Sequence, residues 1–217
     1  MIMESGRGGW RLRDDWVMAA NAHTYSWFNT LFPGLARAYC FTLVRGLSPE
    51  QVLRRLGSAE PVREITGVDA LMAAAAPGFI AATHAGNWTL AVEPGGSLGT
   101  TQSVMLPLAA TTRVVSHSRD KSAAGQFCWL ENGSTRLCFD PLFPTRQSGS
   151  YAYEYDELMG VSGFRVAGAD EYLDSTHAAA AFALADELTG VRITPGLLDE
   201  TPYQCAKVPL VRGAVLG

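Results

Sequence analysis

The sequence predicts an α+β fold: a small antiparallel sheet with hairpins, packed against several helices. Three observations predict it. Short β-branched and aromatic runs meet at tight turns, above all residues 126–140 around Asn132-Gly133. Capped helical patterns, such as residues 49–56 behind Ser48, stand between these runs. Strands and helices do not alternate as in βαβ units, and neither GxGxxG nor GxxxxGK[ST] occurs.

Residues 1–13 read as a flexible N-terminal arm and residues 14–217 as a single α+β domain, because 217 residues suit one sizeable core. Asp14 is placed to cap a first helix whose stripe is Trp16, Ala19, Ala20, His23 and Trp27, and Phe32-Pro33-Gly34 interrupts it. Residues 38–44 form the first strand. Ser48 then caps a helix over 49–56, with Pro49 in its first turn and Gly57 at its end. Residues 67–76 form a short helix, and strands over 79–83 and 88–93 are joined through 84–87. A helix over 101–109 contains Pro107, and 113–118 is a strand. Asn132-Gly133 specifies a type I′ turn. With a two-residue loop and an unbroken ladder, Glu131 faces Ser134. Phe127, Trp129, Arg136 and Cys138 then share one face, and Cys128, Leu130, Leu137 and Phe139 the other. The second face is expected on the core and the first more exposed, with Arg136 over Trp129 in a cation–π contact. A helix over 151–159 ends at Gly160 and Gly163. A long helix over 175–189 starts at Asp174, ends at Gly190 and buries Phe182, Ala185 and Leu188. The C-terminal segment with Pro195, Pro202 and Pro209 reads as irregular.

Composition narrows the function classes. Apolar residues make up 47% and charged residues 18%, which places the chain among folded globular proteins. A net charge of −4 and a pI near 5.6 give no basic footprint for nucleic acid. No stretch is long and apolar enough for a membrane or a signal-peptide core, so the expected location is cytoplasmic. Cys40, Cys128, Cys138 and Cys205 lack CxxC or zinc spacing, and the opposite-face reading keeps Cys128 from Cys138. All four are expected to be reduced cysteines. Lys121 and Lys207 are the only lysines among 17 basic residues, a bias that weakens any case resting on arginine identity alone.

Gly95-Gly96-Ser97-Leu98-Gly99 matches G-x-S-x-G, with Asp174 and His177 following in the chain order of a hydrolase triad. Pro94 at the strand-to-turn junction favours a plain glycine-rich turn. The four histidines show no metal-binding spacing, and no cofactor motif is present, so no metal and no cofactor are expected. Asp186 and Glu187, near the end of the last helix, oppose its dipole and call for an arginine neighbour in the fold or a basic partner. The reading that survives is a non-catalytic binding or regulatory domain recognising a protein partner or small ligand. The alternative is a small cytoplasmic enzyme, a hydrolase or biosynthetic tailoring enzyme, acting on a small molecule or peptide. The binding candidates are Trp129 and Arg136 on the hairpin, Glu93 and His117 from neighbouring strands, and His84 in a hairpin turn. Oligomeric state leaves no trace in the sequence.

Several segments, taken in order, carry a resemblance: Tyr25-Ser26-Trp27-Phe28, Val44-Arg45-Gly46-Leu47-Ser48-Pro49-Glu50 with Arg54-Arg55-Leu56-Gly57, and Asn87-Trp88 to Glu93 before Gly95. Residues 127–133, Phe139-Asp140-Pro141 with Arg146 and Gly149, and residues 184–190 complete it. Together they resemble an actinobacterial domain family of unknown function. The resemblance spans most of the chain and implies no activity, cofactor or site residue.

Overall fold

The computed structural model describes residues 20–58, 63–96, 98–165 and 176–209. The arm at 1–13, the Asp14 cap, Ser97 and the Asp174 cap lie outside them. The α+β class holds, with a sheet that extends to nine strands. These are β1 (Tyr39–Arg45), β2 (Arg63–Thr66), β3 (Phe79–Ala85), β4 (Trp88–Pro94), β5 (Arg113–Arg119), β6 (Gly125–Glu131), β7 (Ser134–Phe139), β8 (Gln147–Ser148) and β9 (Pro202–Lys207). Their order is β2-β9-β3-β4-β1-β5-β6-β7-β8, and all neighbours are antiparallel. The described α-helices are α1 (Trp27–Leu31), α2 (Pro33–Ala36), α3 (Pro49–Arg55), α4 (Val68–Ala74), α5 (Gln102–Leu108), α6 (Asp156–Ser162), α7 (His177–Thr189) and α8 (Pro195–Asp199), with short 3-10 helices at Ala22–Tyr25 and Leu98–Thr100. None is long and apolar enough to cross a membrane.

Both faces of the sheet are covered, so its central strands are buried on both sides. On one face α3 and α5 bring Val52, Leu53, Met105 and Leu108 onto Val44, Ala91, Val114, Cys128 and Leu130. On the other face α7 is the main cover. Its residues 177–186 are all buried, and the run of alanines lets the backbone approach the sheet. Phe182 is its one large anchor, with ring centroids 4.6 Å from Phe28, 5.1 Å from Phe41 and 4.4 Å from His117. Such ring pairs each add about 0.5–1.5 kcal/mol beyond their burial. Asp186 finds the expected arginine: Arg192 Nε donates to it at 2.9 Å, and the Tyr25 hydroxyl donates at 2.9 Å. Glu187 Oε1 accepts from the backbone N–H of Ala20 at 2.7 Å.

Local signals held where they were chemical. Ser48 and Gln51 form a reciprocal capping box at α3, and Gly190 closes α7 at φ 70°. Asn132 and Gly133 have φ of 51° and 71°, the two left-handed residues that a type I′ turn requires. Other boundaries moved. The C-terminal segment is not irregular: Thr194 caps α8, and β9 inserts between β2 and β3, with Pro202 as its first residue and Pro209 beyond its end, positions that spare the ladder. Residues 151–155 form a turn ahead of α6, and His84 belongs to β3 rather than to the following turn.

The hairpin itself departs from the regular ladder. Glu131 faces Ser134 and Leu130 faces Thr135, but Trp129 then faces Leu137, leaving Arg136 as the extra residue of a β-bulge. From there on every partner shifts by one. Cys128 faces Cys138 with a Cα–Cα distance of 4.3 Å, and the two form a disulfide. The expectation of four reduced cysteines is therefore corrected for this pair, because the bulge returns Cys138 to the face of Cys128. Cys40 and Cys205 are free and buried. Leu137 and Phe139 join Phe127 and Trp129 in the aromatic layer instead of opposing them. Thiol titration of the denatured, unreduced protein is expected to find two thiols; four would contradict the Cys128–Cys138 disulfide.

Candidate functional site

The residues singled out in the sequence fall into four separate places. Trp129 and Arg136 do share a face, but that face is covered. Trp129 is buried beneath Tyr151 and Tyr155, whose ring centroids lie 5.4 and 5.3 Å from its own. The expected stacking partners are exchanged: Arg113 sits over Trp129 at 5.2 Å, and Arg136 over Tyr151 at 5.2 Å. Arg136 also reaches the Ser150 hydroxyl at 3.3 Å. His84 is exposed on β3, across from Thr89.

Glu93 and His117 lie on opposite faces and never meet. His117 is buried in an aromatic box of Tyr39, Phe41, Phe127 and Phe182, and neither ring nitrogen has a hydrogen-bond partner among the described residues. Burial alone pushes its pKa down to about 3. Glu93 stands opposite Cys40 on β1, and its Oε2 accepts from the Leu98 N–H at 2.8 Å. Its carboxyl fills the place that a Cβ on Gly96 would take, so the turn after β4 closes over it. Burial raises its pKa to about 7, and burial likewise pushes the Cys40 thiol up to about 12. The void beside them, lined by Cys40, Thr42, Glu93 and Gly99 among others, leaves about 10 Å³, room for one water-sized molecule.

The larger concavity is a cleft of about 470 Å³ where β4, β1, β5 and β6 end. Arg45, Asn87, Thr111, Arg113, Glu131 and Asn132 line it with Gly46, Leu47 and Thr112. Its floor is tied by hydrogen bonds: Thr112 Oγ1 donates to the Arg45 carbonyl at 2.6 Å, Gly46 N–H to the Asn87 carbonyl at 2.9 Å, and Asn132 N–H to the Thr112 carbonyl at 3.1 Å. Arg113 Nε and Nη2 both donate to Glu131 Oε1, at 3.1 and 2.9 Å. One wall of the cleft thus continues into the Trp129 and Arg136 cluster through Arg113 and Glu131. The side chains of Arg45, Asn87, Thr111 and Asn132 are exposed. No residue of this cleft was a binding candidate in the sequence, although Arg45, Gly46, Leu47, Asn87, Glu131 and Asn132 fall in the segments that carry the family resemblance. The available signal was an arginine at a strand end followed by glycine, Arg45-Gly46, near a second glycine turn, Gly86-Asn87. Among the described residues no cluster of three or more histidine, cysteine or acidic side chains has the makings of a metal site.

Two of the buried titratable groups, His117 and Glu93, give the fold opposing pH responses. His117 falls from an ordinary 6.5 to about 3, so between those values the unfolded chain holds the extra proton, and stability is lost as pH falls below 6.5. Glu93 rises from an ordinary 4.5 to about 7, so the folded chain holds the extra proton, and stability is lost as pH rises above 4.5 toward 7. Each slope is at most about 1.4 kcal/mol per pH unit, and the two offset each other between these ordinary values. Chemical denaturation across pH 4.5 to 7 is expected to show His117→Phe gaining on the parent as pH falls and Glu93→Gln gaining as pH rises. Parallel curves for parent and variants would show that these groups are not held in their buried, neutral forms.

Comparison with curated proteins and with solved structures gives no significant match for the chain. The family match is extensive, and it carries no assigned activity. Across residues 18–212 the chain belongs to a family of unknown function, DUF6461.

Proposed function

We propose that the chain is a non-catalytic binding module for a protein partner or small ligand, and that its recognition centre is the cleft at the ends of β4, β1, β5 and β6. One observation supports this reading most: open space of about 470 Å³ is lined by exposed polar side chains on a floor already held by hydrogen bonds. A floor fixed in advance loses little freedom on binding, so more of the contact energy appears as affinity. The adjoining Trp129, Tyr151, Arg113 and Arg136 are of the residue types that dominate binding hot spots, and they brace the cleft wall from behind.

The enzyme alternative has one observation in its favour, the Glu93 carboxyl poised near neutrality opposite the Cys40 thiol. Both side chains are buried, and the turn after β4 closes over them, so a substrate reaches them only if that turn opens. The cytoplasmic placement expected from the sequence has the Cys128–Cys138 disulfide against it, since such bonds persist mainly in oxidising compartments.

A fragment screen followed by amide shifts separates these sites. Sugars, amides, carboxylic acids and phosphates are expected to perturb residues 45–47, 87, 111–113 and 131–132 as one group. Thr111→Trp, which fills the cleft from an exposed position, is expected to remove that response without changing Tm. Perturbations gathered around Cys40 and Glu93, or around the exposed Phe143 and Tyr153, would contradict the assignment.

A further inference from the structure

We infer that the cleft binds an oxyanion, a carboxylate or phosphate group, held between Arg45 and Arg113. The inference rests on the binding reading above and gives the chemistry of its ligand. β1 and β5 pair with Val44 opposite Val114, so the next positions toward the cleft are Arg45 and Arg113. Alternation along the strands puts both on the face of Leu43 and Val115. Like charges at facing positions on neighbouring strands repel.

Only one of the two arginines is answered by a carboxylate among the described residues. Glu131 stands opposite Arg113 and takes both of its donors on Oε1, while its Oε2 lies 3.9 Å from Arg136 Nε. Arg45 is exposed and forms no ion pair among the described residues. Arg45 therefore stands beside the Arg113–Glu131 pair with no carboxylate of its own among the described residues, in a chain of net charge −4. The arginine-rich composition accounts for arginine in place of lysine. It does not account for an arginine without an ion pair beside a second one. A bound oxyanion removes the repulsion and offers the Arg45 fork the two oxygens its geometry suits. The amides of Asn87 and Asn132 stand at the same cleft as neutral donors for the remaining oxygens.

The test is a titration of the nitrogen-15-labelled full chain, read at the amides of Gly46, Asn87, Thr112 and Asn132. The probes are sodium phosphate, sodium succinate, neutral succinamide and a capped Gly-Glu-Gly peptide, against sodium chloride at matched ionic strength. Saturable shifts are expected from the oxyanions, with succinamide weaker by about tenfold or more. Arg45→Ala is expected to weaken oxyanion binding by a similar factor, and Arg45→Lys to restore part of it. Tightest binding of phosphate or succinate marks a free small anion as the source; tightest binding of the peptide marks an acidic side chain of a protein. Succinamide binding as tightly as succinate overturns the inference and leaves the cleft as a binding site. Oxyanion shifts that survive Arg45→Ala, or that sodium chloride reproduces, overturn it as well. No response at the cleft to any probe overturns both the inference and the binding reading.

Discussion

Arg136 is the residue that β7 has and β6 lacks, and the side-chain order of the hairpin follows from that surplus. A strand alternates its side chains with a period of two, so one unpaired residue exchanges the faces of everything beyond it. Through this exchange Leu137 and Phe139 enter the aromatic layer under α7, and Cys138 reaches Cys128 on the other side of the sheet. The bulged residue keeps to the Trp129 face. There its guanidinium lies over Tyr151 and within 3.9 Å of Glu131, the carboxylate that also holds Arg113 at the cleft. Packing, the cross-strand disulfide and the charge arrangement at the cleft wall thus share one backbone irregularity.

Much of the fold was legible because it is written in local chemistry. A serine cap ahead of Pro49, an Asn-Gly pair between apolar runs and a glycine after Thr189 each impose a backbone conformation by themselves. The bulge has no such mark. Its extra residue carries no glycine or proline, and a regular ladder through Arg136 satisfies the same alternation rule, so only packing beyond the hairpin decides between the two registers. β9 was hidden for a related reason. Its residues 202–207 read as a proline-bounded tail, and they become a strand because β2 and β3 present edges on both sides.

The candidate site was legible only in part, for reasons of cover. Trp129 and Arg136 were correctly placed on one face, yet nothing near them in sequence tells that Tyr151 and Tyr155 close over it. His117 likewise alternates onto the face that Phe182, 65 positions away in sequence, fills from α7. The cleft is assembled from the ends of four strands that are distant in the chain, and its residues are ordinary turn residues when read singly. What distinguishes them is the register that sets Arg45 next to Arg113, a fact of pairing rather than of composition.

Deletion of Arg136 tests the central role of the bulge most directly. With the surplus residue gone, Thr135 still faces Leu130 and Leu137 still faces Trp129, now in an unbroken ladder. The shortened chain is expected to unfold cooperatively with a native near-ultraviolet circular dichroism spectrum, and to titrate two thiols when denatured without reductant. In a regular hairpin the same deletion would turn Leu137, Cys138 and Phe139 to the wrong faces. Loss of native tertiary structure, or four titratable thiols, would contradict the account.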